Sequence, residues 1–261
     1  MNLHLTIDKA REYTSNSQRA RILTEDWISH NVFCPVCGNP VLIKYGNNKP
    51  VADFFCDTCS SDFELKSKEN KNGVLGKKIV DGAYSTMITR ITSLQNPNFF
   101  FLTHNNVMVN NVLLIPRYFF VPEIIEKRKP LSDNARRAGW VGCNINIQNI
   151  PESGKVFLVK NNIEIEKKTV LAQYKKTESL QTNNLDSRGW IIDVLSCIDK
   201  IPEADFSLSQ VYSFADVLKR KHPDNNFIKD KIRQQLQYLR DKGFLEFTSR
   251  GNYRKVSYGN I

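Results

Sequence analysis

Apolar positions recur along this chain with a helical period in some stretches and a strand period in others. In SNSQRARILTEDWISHNVF, residues 15–33, Ala20, Leu23, Trp27 and Ile28 keep helical spacing behind Ser15 or Ser17 as a cap, so an opening helix is expected. VADFF and DFELK, residues 51–55 and 62–66, alternate as short strands. DGAYSTMITRITSL, residues 81–94, reads as a second helix. NPNFFFLT and NNVLLIP are continuous apolar runs that suit buried strands, and KVFLVK is a later strand. From Ile163 to Asp186 the pattern weakens into a polar stretch, and a domain boundary is expected near its end.

Beyond that boundary the order becomes helix, helix, helix, hairpin. SRGWIIDVLSCIDK and FSLSQVYSFADVLKRKH supply the first two helices. In NNFIKDKIRQQLQYLRDKG, Asn225 or Asn226 can cap the start. Ile228, Ile232, Leu236 and Leu239 form the apolar stripe, and Gly243 suits the stop. FLEFTSRGNYRKVS then alternates around Arg250-Gly251-Asn252 as a hairpin, with Arg250, Arg254 and Lys255 making it basic. Three helices and a hairpin give the winged-helix order. Lys229, Arg233, Gln234 and Gln237 fall off the stripe, where Arg can read guanine and Gln adenine in a major groove. A solvated polar face on a small helical domain is the competing reading.

A length of 261 residues suggests two units, each able to bury a core, here 1–184 and 185–261. The apolar fraction of 41% is that of a folded chain, and no apolar run reaches the ~18–20 residues of a membrane span. The charged start MNLHLTIDKARE lacks the features of a signal peptide, so a reducing cytoplasm is expected. A net charge of +10 makes nucleic acid a candidate partner, since neutralising phosphates releases counterions, although solubility alone would also account for it.

In that compartment Cys34, Cys37, Cys56 and Cys59, spaced Cys-x2-Cys, eighteen residues, Cys-x2-Cys, match two knuckles that share one tetrahedral zinc ion. Four thiolates close such a site to water, so its role is structural. Cys143 and Cys197 stand alone as ordinary buried thiols. His4, His30, His104 and His222 form no cluster and receive no role.

The Cys56–Cys59 knuckle separates VADFF from DFELK, so the two runs read as one hairpin with the knuckle at its tip. Phe63 and Leu65 then share one face, Glu64 and Lys66 the other, and Asp53 lies across from Glu64. Opposed residues are about 4.5–5.5 Å apart at Cβ, close enough for two carboxylates to grip one Mg²⁺ ion. A one-residue slip would turn every side chain to the wrong face, so a zinc pin at the tip fixes the register. Asp53, ten residues, Glu64-x-Lys66, with Pro50 just ahead, resembles the PD-(D/E)xK nuclease motif. In such a motif the acids hold Mg²⁺, and the lysine orients the attacking water or helps to deprotonate it. Glu25 is a possible extra acid, though exposed helix glutamates are common.

Together SNSQ-RARILTEDW, CPVCGN, PVADF, FELKSK, DGAYSTM, NPNFFFLT, ARRAGWVGCNI, SRGW and KIRQQLQYLRDK carry a resemblance, over nearly the full length, to the DpnI family of type IIM methyl-directed restriction endonucleases. The resemblance implies an α/β (α+β) PD-(D/E)xK restriction-endonuclease-like domain with an embedded four-cysteine zinc site, followed by a winged-helix domain. It implies a monomer that cuts double-stranded DNA at GATC carrying 6-methyladenine, with both domains reading the site. Asp53, Glu64 and Lys66 carry over as catalytic residues, with Mg²⁺ on Asp53 and Glu64, and Cys34, Cys37, Cys56 and Cys59 as the zinc ligands. In LSDNARRAGWVG, Arg136 and Arg137 are offered for phosphate or guanine, and the resemblance points to Trp140 as a methyl contact. An exposed Arg pair beside a packing Trp is the bland alternative. One buried methyl is worth only about 0.8 kcal/mol, roughly fourfold in affinity, so two readers of one feature make physical sense. Two rivals remain at this level: a non-catalytic zinc-containing winged-helix protein that binds methylated DNA, and a repair nuclease that cuts without regard to GATC.

Overall fold

A segment apolar at every position is satisfied only where both of its faces are covered, and the two continuous apolar runs accordingly become neighbouring central strands. The structure, a computed structural model, describes residues 1–46, 52–93, 96–182 and 184–256, so Pro50 and the residues after Val256 lie outside the described residues. The N-terminal part runs α1 (Asn16–Asn31), β1 (Ile43–Lys44), β2 (Phe54–Phe55), β3 (Asp62–Glu69), β4 (Lys78–Ala83) and α2 (Tyr84–Thr92). It continues as β5 (Asn98–Asn105), β6 (Met108–Ile115), β7 (Ile125–Lys127), β8 (Gly142–Asn146), β9 (Val156–Lys160), β10 (Ile163–Glu164) and α3 (Lys167–Glu178). The C-terminal part is α4 (Leu185–Asp199), β11 (Asp205–Ser207), α5 (Leu208–Tyr212), α6 (Ala215–Lys221), α7 (Ile228–Asp241), β12 (Leu245–Ser249) and β13 (Asn252–Lys255).

The large sheet has the order β1-β2-β3-β5-β6-β9-β10, and its β3–β5 pair is parallel. Parallel neighbours need a crossover. Here β4 and α2 supply it, and β4 joins a second sheet of order β4-β8-β7. One face of the large sheet buries Phe63, Phe100, Leu102 and Leu114 against Trp27 and Ile28 of α1 and Val170 and Tyr174 of α3. Its other face buries Phe99, Phe101, Leu113 and Ile115 with Met87 and Ile91 of α2. That second apolar cluster runs on without a break into Trp190, Val194 and Ile198 of α4 and Ile232, Leu236 and Leu239 of α7.

Three expectations need correction. Residues 81–94 are not one helix: Lys78–Ala83 is a strand with a register shift between Asp81 and Ala83, and α2 begins only at Tyr84. The polar stretch contains α3, whose buried face is only Val170, Tyr174 and Thr177, a stripe too sparse in apolar residues to stand out from the lysines around it. FSLSQVYSFADVLKRKH is strand, helix and helix, because Ser207 and Gln210 form a capping box that starts α5 and the chain breaks again at Ser213–Phe214.

The four C-terminal helices α4–α7, one more than the sequence predicted because the second expected helix is split into α5 and α6, form the winged helix with the β11-β13-β12 sheet. Asn184 caps α4 by accepting the Ser187 N–H at 2.8 Å. Before α7, Asn225 accepts the Phe227 N–H at 2.8 Å and no side chain caps the helix itself. Gly243 ends it at φ +74°, a backbone conformation that suits glycine. Among the described residues no helix is long and apolar enough to cross a membrane.

Candidate functional site

β2 and β3 pair antiparallel with Phe54 opposite Phe63 and Phe55 opposite Asp62, and Asp53 N–H donates to Phe63 O at 3.0 Å. Continued by one residue, this register sets Asp53 beside Glu64. The Asp53 Oδ2 reaches across to accept the Leu65 N–H at 2.7 Å. Burial raises the Asp53 carboxyl pKa. The Leu65 N–H works against that rise, while the charges of Glu64 and Glu25 add to it.

Glu64 and Lys66 leave β3 on the same face, as their spacing requires, and meet partners supplied by the crossover. Lys66 Nζ pairs with Glu64 Oε1 at 2.5 Å and with Asp81 Oδ1 on β4, and Arg90 of α2 pairs with Glu64 Oε2. Burial works to lower the Lys66 pKa, but the Glu64 and Asp81 carboxylates outweigh it and hold it above the ordinary lysine value. Glu25 is not an exposed helix glutamate. It is 3% exposed, with Arg21 Nε at 2.5 Å and Lys44 Nζ at 2.6 Å on its carboxylate. The local pattern hides this, since only packing on β3 turns that side of α1 inward. Asp81 and Arg90 carry no comparable signal in the sequence, where no fixed spacing links them to Glu64.

Four acids, Glu25, Asp53, Glu64 and Asp81, are thus gathered with Arg21, Lys44, Lys66 and Arg90. Glu25, Glu64 and Asp81 already carry these cations, and among the described residues no three acids bring ligand atoms together as the four thiols do. A hard divalent cation, which oxygen donors suit, would therefore have to displace those partners. Asp53 and Glu64 are the pair brought opposite each other.

At the hairpin tip the two knuckles repeat one backbone pattern. Gly38 N–H donates to Cys34 O at 2.8 Å and Ser60 N–H to Cys56 O at 2.9 Å; Cys34 N–H donates to Asn39 O and Cys56 N–H to Ser61 O. Both turns use a left-handed residue, Gly38 at φ +82° and Ser60 at φ +55°. All four Sγ atoms lie within 4.8 Å of one another, with Cys34–Cys59 and Cys37–Cys56 each at 3.6 Å. Tetrahedral ligands at Zn–S of ~2.3 Å are separated by about 3.8 Å, so the set can hold a metal ion such as zinc. Burial raises the Cys34 thiol. At Cys56 burial is outweighed by the backbone N–H groups of Cys59 and Thr58 and by Asn39 and Cys37, which bring its pKa to about 6 and favour the ligating thiolate. Cys143 and Cys197 are buried away from the cluster.

The loop before β8 leaves Arg136 and Arg137 exposed and Trp140 half-buried. The Arg137 guanidinium sits 4.6 Å from the Trp140 ring centre. That ring rests on Gly142, where an added Cβ would lie 2.9 Å from Cζ3 and Cη2.

On the winged helix, Lys229, Arg233, Gln234 and Gln237 are exposed along α7, and Arg250 is exposed at the wing turn beside Gly251 at φ +78°. Arg233 donates to the Tyr212 hydroxyl. Arg254 pairs with Asp205 at 2.8 Å, and Lys255 Nζ donates to Ile201 O. Of the three basic wing residues, Arg250 is therefore the one whose side chain has no such tie among the described residues. Phe227, 73% exposed at the start of α7, is an apolar feature the helical stripe does not include.

A family model described as DpnI, the Dam-replacing family, matches residues 1–183, and one described as the Dam-replacing HTH domain matches residues 186–255. The C-terminal match is a module that binds DNA. Taken with the mixed α/β architecture and the clustered thiols, these matches establish that the chain belongs to the DpnI family of methyl-dependent restriction enzymes.

Proposed function

We propose that this protein hydrolyses both strands of double-stranded DNA at GATC sites carrying 6-methyladenine, as a cytoplasmic monomer, with the nuclease segment 1–184 and the winged helix 185–261 both reading the site. The observation that carries the reading is the β2–β3 register, which sets Asp53 beside Glu64 with Lys66 on the Glu64 face. Asp53 and Glu64 would hold Mg²⁺, whose Lewis acidity lowers the pKa of a bound water and offsets charge on the phosphate. Cys34, Cys37, Cys56 and Cys59 would hold zinc, which would fix the hairpin.

Water attacks phosphorus, giving up its proton to Lys66 or to solvent, and the backbone O–P bond breaks with the leaving oxygen taking a proton from solvent. Lys66, paired with Glu64 and Asp81, orients the water or helps to deprotonate it and steadies the developing negative charge. Arg136, Arg137 and Trp140 on the nuclease segment, and Lys229, Arg233, Gln234 and Arg250 on the winged helix, supply phosphate and base contacts, with Trp140 as the flat apolar surface for the methyl group. A binding protein that does not cut is the alternative supported by the same basic surface.

Plasmid from adenine-methylating and non-methylating hosts separates the readings. Mg²⁺-dependent cleavage of the methylated plasmid alone, with ends mapping to GATC, is expected. Glu64→Ala and Lys66→Ala should abolish cleavage while binding survives. Intact methylated plasmid with the wild-type protein would favour the regulator, and ends scattered outside GATC a shape-sensing nuclease.

A further inference from the structure

We infer that Asp81 is a positioning residue for the cleavage reaction, holding the Lys66 ammonium from the second sheet and so tying it to β8, the strand that follows the Trp140 loop. The inference rests on the nuclease reading above. A lysine side chain is a point charge on a flexible four-carbon stem, and one partner does not fix where that charge sits. Lys66 has two, on different elements: Glu64 on its own strand and Asp81 on β4. Asp53, just before β2, and Arg90 of α2 add further charges around the Glu64–Lys66 pair.

Asp81 is itself held in place. Its side chain is 6% exposed, and Oδ1 also accepts the Gly82 N–H at 2.7 Å. Its Oδ2 is buried with no hydrogen-bond partner among the described residues. A buried carboxylate in that state is retained at a cost that packing does not require, which points to a task for its charge. The Lys66 ammonium is the cation it meets.

The register explains why the aspartate belongs to this sheet. Asp81 pairs with Cys143 and Ala83 with Gly142, with the shift in register falling at Gly82 between them. Irregularities of this kind re-aim side chains next to functional sites. Gly142 is the residue on which the Trp140 ring rests. From Trp140 to Lys66 the path is therefore ring on Gly142, the next residue Cys143, its ladder partner Asp81, and one ion pair.

The test uses full-length Asp81→Asn, which keeps the shape and removes the charge. Its single-turnover cleavage of methylated duplex with Mg²⁺ should fall on the order of a hundredfold, the cost of a misplaced catalytic group. Asp81→Asn loses one partner of a buried pair and should melt some degrees lower. Below that transition its affinity for the same duplex with Ca²⁺ and its zinc content should stay at wild-type values, and Asp81→Glu should recover part of the rate. The preference for methylated over unmethylated duplex should shrink in cleavage while persisting in binding. Wild-type rates in Asp81→Asn would overturn the inference, as would a rate loss matched by lost affinity or by unfolding at the assay temperature. Should the wild-type protein itself fail to cleave, the nuclease reading falls first and this inference with it.

Discussion

Removing the Arg90 guanidinium while keeping its stem, as Arg90→Met, probes how the acidic cluster is balanced. The Glu64 side chain is 10% exposed and that of Arg90 19% exposed, so their pairing is largely shielded from water. Breaking one partner of a buried pair costs about 3–5 kcal/mol because the remaining charge is stranded. Lys66 stays on Oε1 at 2.5 Å and takes up part of that charge. About 2 kcal/mol is the expected net loss, including a modest contribution from the Arg90 cation over the Phe99 ring. For a chain of this size that is a fall in melting temperature of roughly 4–8 °C. Mg²⁺ should restore more stability to the variant than to the wild type, because Glu64 no longer has a guanidinium competing with the metal. Circular dichroism melts of both proteins, with and without Mg²⁺, measure the two effects. An unchanged melting temperature, or an equal Mg²⁺ gain in both proteins, would refute this balance of charges.

Gly142→Ala would place a Cβ 2.9 Å from the Trp140 ring, against the ~3.5–4.0 Å of ordinary carbon contacts, so the ring must shift. The preference for methylated over unmethylated GATC in cleavage should drop by roughly fourfold per methyl, and an unaltered preference would remove Trp140 from methyl reading. Native mass spectrometry should find one zinc per chain in the wild type and none in Cys59→Ser. That variant should also melt lower and stop cleaving, because the knuckle sets the Asp53–Glu64 register; full cleavage without zinc would contradict this role.

How much of this can be read from residues alone follows from what each signal depends on. The Asp53–Glu64 hairpin is legible because strand alternation and the intervening Cys56–Cys59 knuckle are both local, and the observed pairing of Phe54 with Phe63 agrees with them. The wing and α7 are legible for the same reason: an apolar stripe, a glycine stop and a Gly-Asn turn need no distant partner. α3 escapes such a reading because Val170, Tyr174 and Thr177 bury a stripe with few apolar residues in a lysine-rich segment. The burial of Glu25 and the partners of Glu64 and Lys66 are set by how α1, β4 and α2 pack on β3. No spacing in the chain encodes those distances.

The parallel β3–β5 pair carries a consequence for how the chain tolerates length changes. Everything that balances Glu64 and Lys66 from the crossover, Asp81 and Arg90, is strung between two hydrogen-bonded strands. An added residue beside the exposed Lys77 would bulge outward and leave the charges in place. The same residue added within the first turns of α2 would swing Arg90 about 100° around the helix axis and off its carboxylate. Drift in length among descendants of this sequence is thus confined to the loop and barred from the helix that follows it.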